Sequence, residues 1–189
     1  ASVYTWNKSE LGKNLGYLPQ DIELFDGTFS ENITRFGEVN DEHLYEAVNI
    51  AGLNEFLESL PDGINTELNA DMLRIPGGVR QKIGLARALY GNPKLIVLDE
   101  PTSNMDSRSE REFIDTIKKI KEKKSTLIII THNKEILRVS DLLLTIENGK
   151  QKIFDSMNNI AKKMKENQAK SILERQKSTI APTKKNNET

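Results

Sequence analysis

The stretch from Ile75 to Asp106 decides the fold and reads IPGGVRQKIGLARALYGNPKLIVLDEPTSNMD. It begins with two glycines, continues as an amphipathic segment, and passes through a short apolar run into an adjacent Asp and Glu. The apolar spacing predicts a helix that ends at the Gly-Asn-Pro of residues 91–93. The apolar run Lys94–Leu98 predicts a short strand that is buried on both faces.

The rest of the chain continues this alternation. Helical spacing covers Asp41–Leu60, with Asp41 as the N-cap, and also Ser107–Lys124. A second apolar run, Thr126–Ile130, predicts another buried strand. Two further runs, Asp141–Ile146 and Gln151–Phe154, flank an Asn-Gly turn and predict a β-hairpin. Strand, helix and strand in the second half predict a parallel sheet, so the fold class is α/β.

Composition excludes several kinds of protein. The 189 residues carry a formal net charge of −1, which argues against a nucleic-acid partner, and no cysteine, which excludes disulfides and thiolate metal sites. No apolar run approaches the roughly 20 residues of a membrane span. Beyond Ser156 the pattern predicts a charged helix that fades into a disordered tail.

Residues that can bind a metal ion or transfer a proton follow both predicted strands. Asp99 and Glu100 come directly after the first strand, and His132 follows the second. Parallel neighbours end at the same edge of a sheet, where α/β proteins bind ligands, so His132 and Glu100 are expected close together. Successive strand residues point to opposite faces, so one carboxylate can hold Mg²⁺ while the other orients or deprotonates water. The alternative for a bare Asp-Glu pair is a helix cap or surface turn, and a lone histidine is more often structural.

The double glycine also has two interpretations. Gly77 and Gly78 open the predicted helix, and the amides and dipole of a helix N-terminus attract phosphate oxygens. Two glycines before a helix are a weak signal when taken alone.

Taken in order, these motifs resemble the ATPase domain of ATP-binding-cassette (ABC) transporters. By this resemblance Gln20 senses Mg²⁺ and contacts the transporter, and Asp99 is a Mg²⁺ ligand at the end of the Walker B strand. Glu100 resembles the catalytic glutamate and His132 the switch histidine. The resemblance implies ATP and Mg²⁺ as cofactors and ATP hydrolysis by the full-length protein.

The same resemblance assigns the nucleotide-binding residues. Gly77 and Gly78 lie in the signature motif, which binds the ATP of the partner subunit. Asp106 closes the D-loop and, like Gln20, is expected to be a nucleotide-binding residue. Pro76 and Val79 depart from the family's Leu-Ser-Gly-Gly-Gln, because they replace its serine and its final glutamine. Pro76 lacks both the serine hydroxyl and an amide hydrogen.

The resemblance also implies a domain organisation. A partial P-loop NTPase (RecA-like) sheet and the ABC α-helical subdomain share residues 1–155, with the helical subdomain at about 21–92 and the RecA-like part at about 93–155. Residues 156–189 form the charged helix and the tail. We expect the Walker A loop and the membrane domain upstream of residue 1, so that this chain alone binds Mg·ATP poorly and does not hydrolyse it.

The subfamily is indicated by longer stretches. GYLPQDIELFDGTFSENI, residues 16–33, resembles exporter ATPases, and LARALYGNPKLIVLDEPTSNMD looks closest to the permease-ATPases of bacterial type I protein secretion. This implies a second ABC subunit in a dimer, a membrane domain, a periplasmic adaptor and an outer-membrane channel, with the domain on the cytoplasmic face of the inner membrane. No nucleic-acid partner is expected.

Two other functions stay open. A degenerate regulatory half-site paired with an active subunit is favoured by Pro76 and Val79 and opposed by Glu100. A soluble ABC ATPase acting on nucleic acid is opposed by Leu24–Phe29, which resembles the exporter segment that meets the coupling helices of the membrane domain.

Overall fold

The computed structural model describes residues 5–68, 75–103, 105–163 and 165–166. The chain divides into two compact units, residues 1–136 and residues 137–189. The predicted limits of the helical subdomain and the RecA-like part stay predictions.

A three-stranded parallel sheet forms the centre of the first unit. Its strands, in spatial order, are β1 (Leu15–Leu18), β2 (Leu95–Asp99) and β3 (Thr126–Ile130). Leu18 lies opposite Leu98, and Asp99 lies opposite Ile130. The three strands therefore end at one edge, which confirms the predicted parallel sheet and the α/β class.

Helices alternate with these strands along the chain. In the part of the chain that the structure describes they are α1 (Lys8–Asn14), α2 (Phe29–Thr34), α3 (Asp41–Ala51), α4 (Asn54–Ser59), α5 (Gly77–Leu89), α6 (Ser107–Glu122) and α7 (Lys134–Val139), with a short 3-10 helix at Gly63–Asn65. The helices predicted after the glycine pair and after Asp106 are confirmed as α5 and α6.

The single helix predicted over residues 41–60 is wrong. Gly52 ends α3 in the left-handed region, with φ 70°, and α4 begins only at Asn54. Glycine adopts this conformation without steric cost, and the turn gives the Gly52 amide two carbonyl acceptors in the last turn of α3. The N-cap is Asn40 rather than Asp41, because the Asn40 side chain accepts the His43 amide at 3.0 Å.

The strands are buried on one face rather than on two. Ile96 and Leu98 are almost fully buried on the face covered by α5 and α6, whereas Ile128 and Ile130 on the other face are about half exposed. The prediction of strands buried on both faces is therefore wrong for the described residues. The apolar run alone gave no information about which helices cover each face.

Helix α5 lies directly against β1 and runs in the opposite direction. A Cβ atom at Gly16 would stand 1.9 Å from the Ala88 carbonyl oxygen, and one at Gly84 would stand 2.8 Å from Leu18 Cδ1. Ala88 thus lies beside the start of β1 and Gly84 beside its end. At a rise of about 1.5 Å per residue, the N-terminus of α5 at Gly77 extends roughly 10 Å beyond the level of Gly84.

The second unit contains the predicted hairpin. Strands β4 (Leu142–Glu147) and β5 (Lys150–Ser156) are antiparallel and are joined by Asn148 and Gly149, whose φ angles are 51° and 73°. Positive φ at both positions is the type I′ geometry that Asn-Gly predicts. Residues 157–163 are helical, as predicted, and the predicted disordered tail lies outside the described residues. None of the helices that the structure describes is both long and apolar enough to cross a membrane.

Candidate functional site

The predicted metal and catalytic residues gather at the carboxyl edge of the parallel sheet. Gln20 follows β1 by two residues and is exposed, Asp99 ends β2, and Glu100 comes next. His132 follows β3 by two residues. Because β1 and β3 both pair with β2, these four residues lie at one edge, which the sequence predicted for Asp99, Glu100 and His132.

Glu100 occupies a strained turn. Its φ of 43° lies in the left-handed region, where a non-glycine residue costs on the order of 1 kcal/mol. The Glu100 amide donates to the Ile130 carbonyl at 2.9 Å, and its own carbonyl accepts the Ser103 amide at 3.1 Å. Glu100 therefore takes its direction from this turn and not from strand alternation, which corrects the prediction for the Asp99–Glu100 pair.

The turn places Glu100 against His132. His132 Nδ1 lies 3.0 Å from Glu100 Oε1. The Glu100 side chain is 21% exposed and the His132 side chain 86% exposed. The hydrogen bond to Glu100, its negative charge and the more distant Glu110 raise the pKa of His132 above 6.5. The expected proximity of the two side chains is confirmed, whereas their catalytic roles stay a prediction.

Titration of His132 tests this contact. We expect an NMR pKa above 6.5 in the wild type and a value closer to 6.5 in Glu100→Gln, because a neutral amide does not prefer imidazolium. The folded pKa is raised, so the pair's contribution to stability is complete below the unfolded pKa and is lost as pH rises through the folded value. A His43→Gln variant assigns the signals. An identical His132 titration in wild type and Glu100→Gln would show that the two groups are not in contact.

Neighbouring residues that the sequence analysis did not single out fix the turn that contains His132. The Thr131 hydroxyl accepts the Asn133 amide at 3.0 Å, and the Asn133 side chain donates to Glu110 Oε1 at 3.2 Å. Both contacts fix the turn after β3, the second by joining it to α6. The Thr131–Asn133 turn has a sequence signal, since threonine often accepts the amide two residues later, but the Glu110 contact has none.

Gly77 and Gly78 form the first turn of α5, which extends past the level of this edge. Pro76 is the N-cap and makes no side-chain hydrogen bond to the helix. Within the described ranges, no hydrogen bond joins the glycine pair to Glu100 or His132. In the described residues, hydrogen bonding therefore does not connect the predicted nucleotide-binding glycines to Glu100 and His132.

Asp106 acts as the N-cap of α6. Its carboxylate accepts the Ser109 amide at 2.8 Å and the Arg108 amide at 3.1 Å. These bonds, with that of Ser109 the largest cause, lower the pKa of Asp106. Its predicted part in nucleotide binding stays a prediction.

The residues at the sheet edge fit Mg²⁺ bound together with a nucleotide. Asp99 offers a carboxylate and Gln20 an amide oxygen, both hard donors of the kind that Mg²⁺ prefers. In the residues that the structure covers, no group of three or more His, Cys, Asp or Glu could hold a metal. One or two protein ligands suffice where substrate phosphates and water complete the octahedron.

Comparisons with known proteins agree on one family. The sequence model described as "ABC transporter" matches residues 1–103. The chain is 39% identical over 155 residues to the type I secretion system ATP-binding protein PrsD of Rhizobium meliloti (strain 1021), which covers 82% of this chain and 27% of PrsD. It is 32% identical over 144 residues to the ATP-dependent lipid A-core flippase of Bordetella avium (strain 197N), covering 75% of this chain and 24% of the flippase.

A solved structure supports the same relationship. The structure of a bacterial Atm1-family ABC exporter with ATP bound matches this chain with a TM-score of 0.73 and 27% identity, over 85% of this chain and 28% of that chain. The chain thus spans about a quarter of the length of each of these three proteins.

Proposed function

Because the chain belongs to the ABC transporter family, we propose that it forms part of the ATP-hydrolysing domain of a bacterial exporter. The contact of 3.0 Å between Glu100 and His132 at the carboxyl edge of the sheet carries this proposal. It joins a partly buried carboxylate to an exposed imidazole at the edge where α/β proteins bind ligands.

Glu100 is the general base in this proposal. Its carboxylate orients the attacking water and accepts a proton from it, and the turn bonded to Ile130 fixes its direction. Asp99 and Gln20 hold Mg²⁺, which neutralises phosphate charge when it is bound.

His132 links this base to the nucleotide. A carboxylate only accepts hydrogen bonds, so His132 Nδ1 carries the proton in its contact with Glu100. The exposed ring leaves Nε2 for a phosphate oxygen of ATP. The raised pKa of His132 favours the protonated ring, in which Nε2 also donates.

The glycine pair serves a second nucleotide. The N-terminus of α5 lies roughly 10 Å beyond the level of Gly84, which packs at the end of β1. We assign Gly77 and Gly78, together with Asp106, to the ATP of a second ABC subunit in a dimer. This assignment gives each nucleotide one catalytic edge and one helix N-terminus.

The transported substrate in this proposal is an unfolded protein. The similarity to a type I secretion ATP-binding protein supports it. The partners are then the membrane domain of the same protein, a second ABC subunit, a periplasmic adaptor and an outer-membrane channel, on the cytoplasmic face of the bacterial inner membrane. The similarity to a lipid flippase makes lipid the competing substrate.

Stimulated hydrolysis separates these substrates. In the full-length protein in lipid nanodiscs, an unfolded secreted polypeptide should raise Mg²⁺-dependent ATP hydrolysis, and lipid A-core should not. Glu100→Gln protein gives the background rate. Stimulation by the lipid without stimulation by the polypeptide would assign a lipid exporter.

A regulatory half-site is the second candidate. Pro76 begins α5 without a capping hydrogen bond and without an amide hydrogen. In this alternative the chain pairs with an active subunit and binds that subunit's ATP weakly.

A further inference from the structure

Helix α5 contacts the residues on both sides of Gln20. A Cβ atom at Gly84 would stand 2.8 Å from Leu18 Cδ1 and 2.7 Å from Ile22 Cδ1. Leu18 precedes Gln20 by two residues and Ile22 follows it by two. The exposed Gln20 therefore lies in the middle of a short segment whose two ends, Leu18 and Ile22, both pack against Gly84 of α5.

One turn further along α5, Arg87 binds the continuation of that segment. Arg87 Nη1 donates to the Glu23 carbonyl at 3.1 Å, and its guanidinium carbon lies 5.0 Å from the centroid of the Phe25 ring. Nε donates to the Asn32 carbonyl at 2.8 Å and Nη2 to Asn32 Oδ1 at 3.0 Å. One side chain thus ties α5 to the loop after Gln20 and to α2.

Asn32 completes the connection from inside the protein. It is fully buried, and its Oδ1 accepts the Phe25 amide at 2.9 Å as well as Arg87 Nη2. Its Nδ2 donates to the Phe25 carbonyl at 2.9 Å and to the Thr28 carbonyl at 3.1 Å. Phe25 is therefore held through its backbone on both sides, and the position of Asn32 depends on Arg87.

An arginine at position 87 costs free energy because it is partly buried, so its presence there indicates a specific role for its hydrogen bonds. Burial, and then the charge of Arg35, lower the pKa of Arg87, and its hydrogen-bond partners in the described residues are neutral oxygens. Partial burial of a cation costs free energy when its hydrogen-bond partners carry no negative charge. The rigid fork of arginine can donate in three fixed directions at once, which lysine cannot do.

We propose that Gly84 and Arg87 are positioning residues for Gln20, because Gly84 leaves room for Leu18 and Ile22 and Arg87 holds the Glu23 carbonyl. The inference rests on the proposed function, because it takes Gln20 as a Mg²⁺ ligand.

Hydrogen exchange measures the positioning directly. In the full-length protein, Arg87→Lys should speed exchange of the Phe25 amide about tenfold, because losing hydrogen bonds of roughly 1.4 kcal/mol opens the segment. The Glu100 amide, bonded to Ile130, reports the rest of the fold and should not change. Arg111→Lys, the same substitution at an exposed position of α6, is the matched control.

The Mg²⁺ dependence of ATP hydrolysis measures how far Gln20 has lost its position as a metal ligand. Outer residues that orient a metal ligand typically change metal affinity by 10- to 100-fold, so Arg87→Lys should raise the Mg²⁺ concentration for half-maximal ATP hydrolysis about tenfold. The rate at saturating Mg²⁺ should fall much less, a split that general destabilisation would not produce. Gly84→Ala keeps the Arg87 hydrogen bonds but pushes on Leu18 and Ile22, and we expect the same shift.

The outcomes separate this inference from the proposed function. Unchanged Phe25 exchange in Arg87→Lys, or faster exchange with unchanged Mg²⁺ dependence in both variants, would overturn the positioning role. A wild-type protein without ATPase activity would overturn the proposed function alone, and the exchange result would still decide whether α5 positions the Gln20 segment. If Arg87→Lys does not fold, Gly84→Ala decides through its own Mg²⁺ dependence and its exchange at residues 20–25.

Discussion

Glu100→Gln is expected to slow steady-state ATP hydrolysis by the full-length protein about 10²- to 10⁴-fold, the usual contribution of a general base. Glutamine keeps the size of the side chain and can still hydrogen-bond His132, but it cannot accept a proton from water. The left-handed turn depends on backbone bonds to Ile130 and Ser103, so the substitution should leave it in place. ATP should therefore still bind and bridge two subunits.

Two measurements check this result. A steady-state assay gives the rate, and size exclusion with ATP should show a dimer that accumulates in Glu100→Gln and not in the wild type. Glu122→Gln, the same change at an exposed position at the end of α6, should leave both unchanged. Turnover at the wild-type rate in Glu100→Gln would remove Glu100 from the catalytic role.

The sheet and its edge were predictable because their signals are local. The apolar runs before Asp99 and before His132 each predicted a strand, and strands that alternate with helices along the chain indicate a parallel sheet. Parallel strands end together, so the proximity of Glu100 and His132 followed from chain order alone. The Asn-Gly hairpin was equally secure, since few other residues adopt positive φ at both turn positions.

What the sequence did not predict depends on contacts between distant residues or on the backbone. The left-handed turn at Glu100 needs the Ile130 carbonyl on the neighbouring strand. The break at Gly52 was hidden because a single glycine is tolerated inside a helix and does not by itself end one. Arg87 followed the helical pattern, and its partner Asn32 lies 55 residues away. No spacing rule connects two such positions.

The prediction with the next largest effect concerns the start of α5. Restoring the family's residues with Pro76→Ser and Val79→Gln is expected to raise ATP turnover of the full-length dimer about tenfold, most clearly at limiting ATP. If the motif binds a γ-phosphate across the subunit interface, the serine hydroxyl adds a charge-assisted bond worth about 1.5–3 kcal/mol. Only the part that appears in the closed, hydrolysing state raises the rate.

Two local effects accompany this substitution. Loss of proline loosens the chain before α5 at a cost of about 0.4–1 kcal/mol. Serine, however, is a strong N-cap, whereas Pro76 makes no capping bond, so the new cap stabilises the helix by about 1 kcal/mol. Because these effects nearly cancel, a large change in turnover has to come from the phosphate contact.

A matched variant separates the hydroxyl from the backbone. Pro76→Ala with Val79→Gln removes the proline equally but supplies neither cap nor hydroxyl, so it should gain little of the tenfold increase. Steady-state ATPase assays over a range of ATP concentrations compare the two double mutants, with circular dichroism to show that both are folded. If the serine variant is folded but hydrolyses ATP no faster than the wild type, a hydroxyl at the start of α5 does not contribute to phosphate binding. The start of α5 would then complete the site of the partner subunit only weakly, and the regulatory half-site becomes the better account of Pro76.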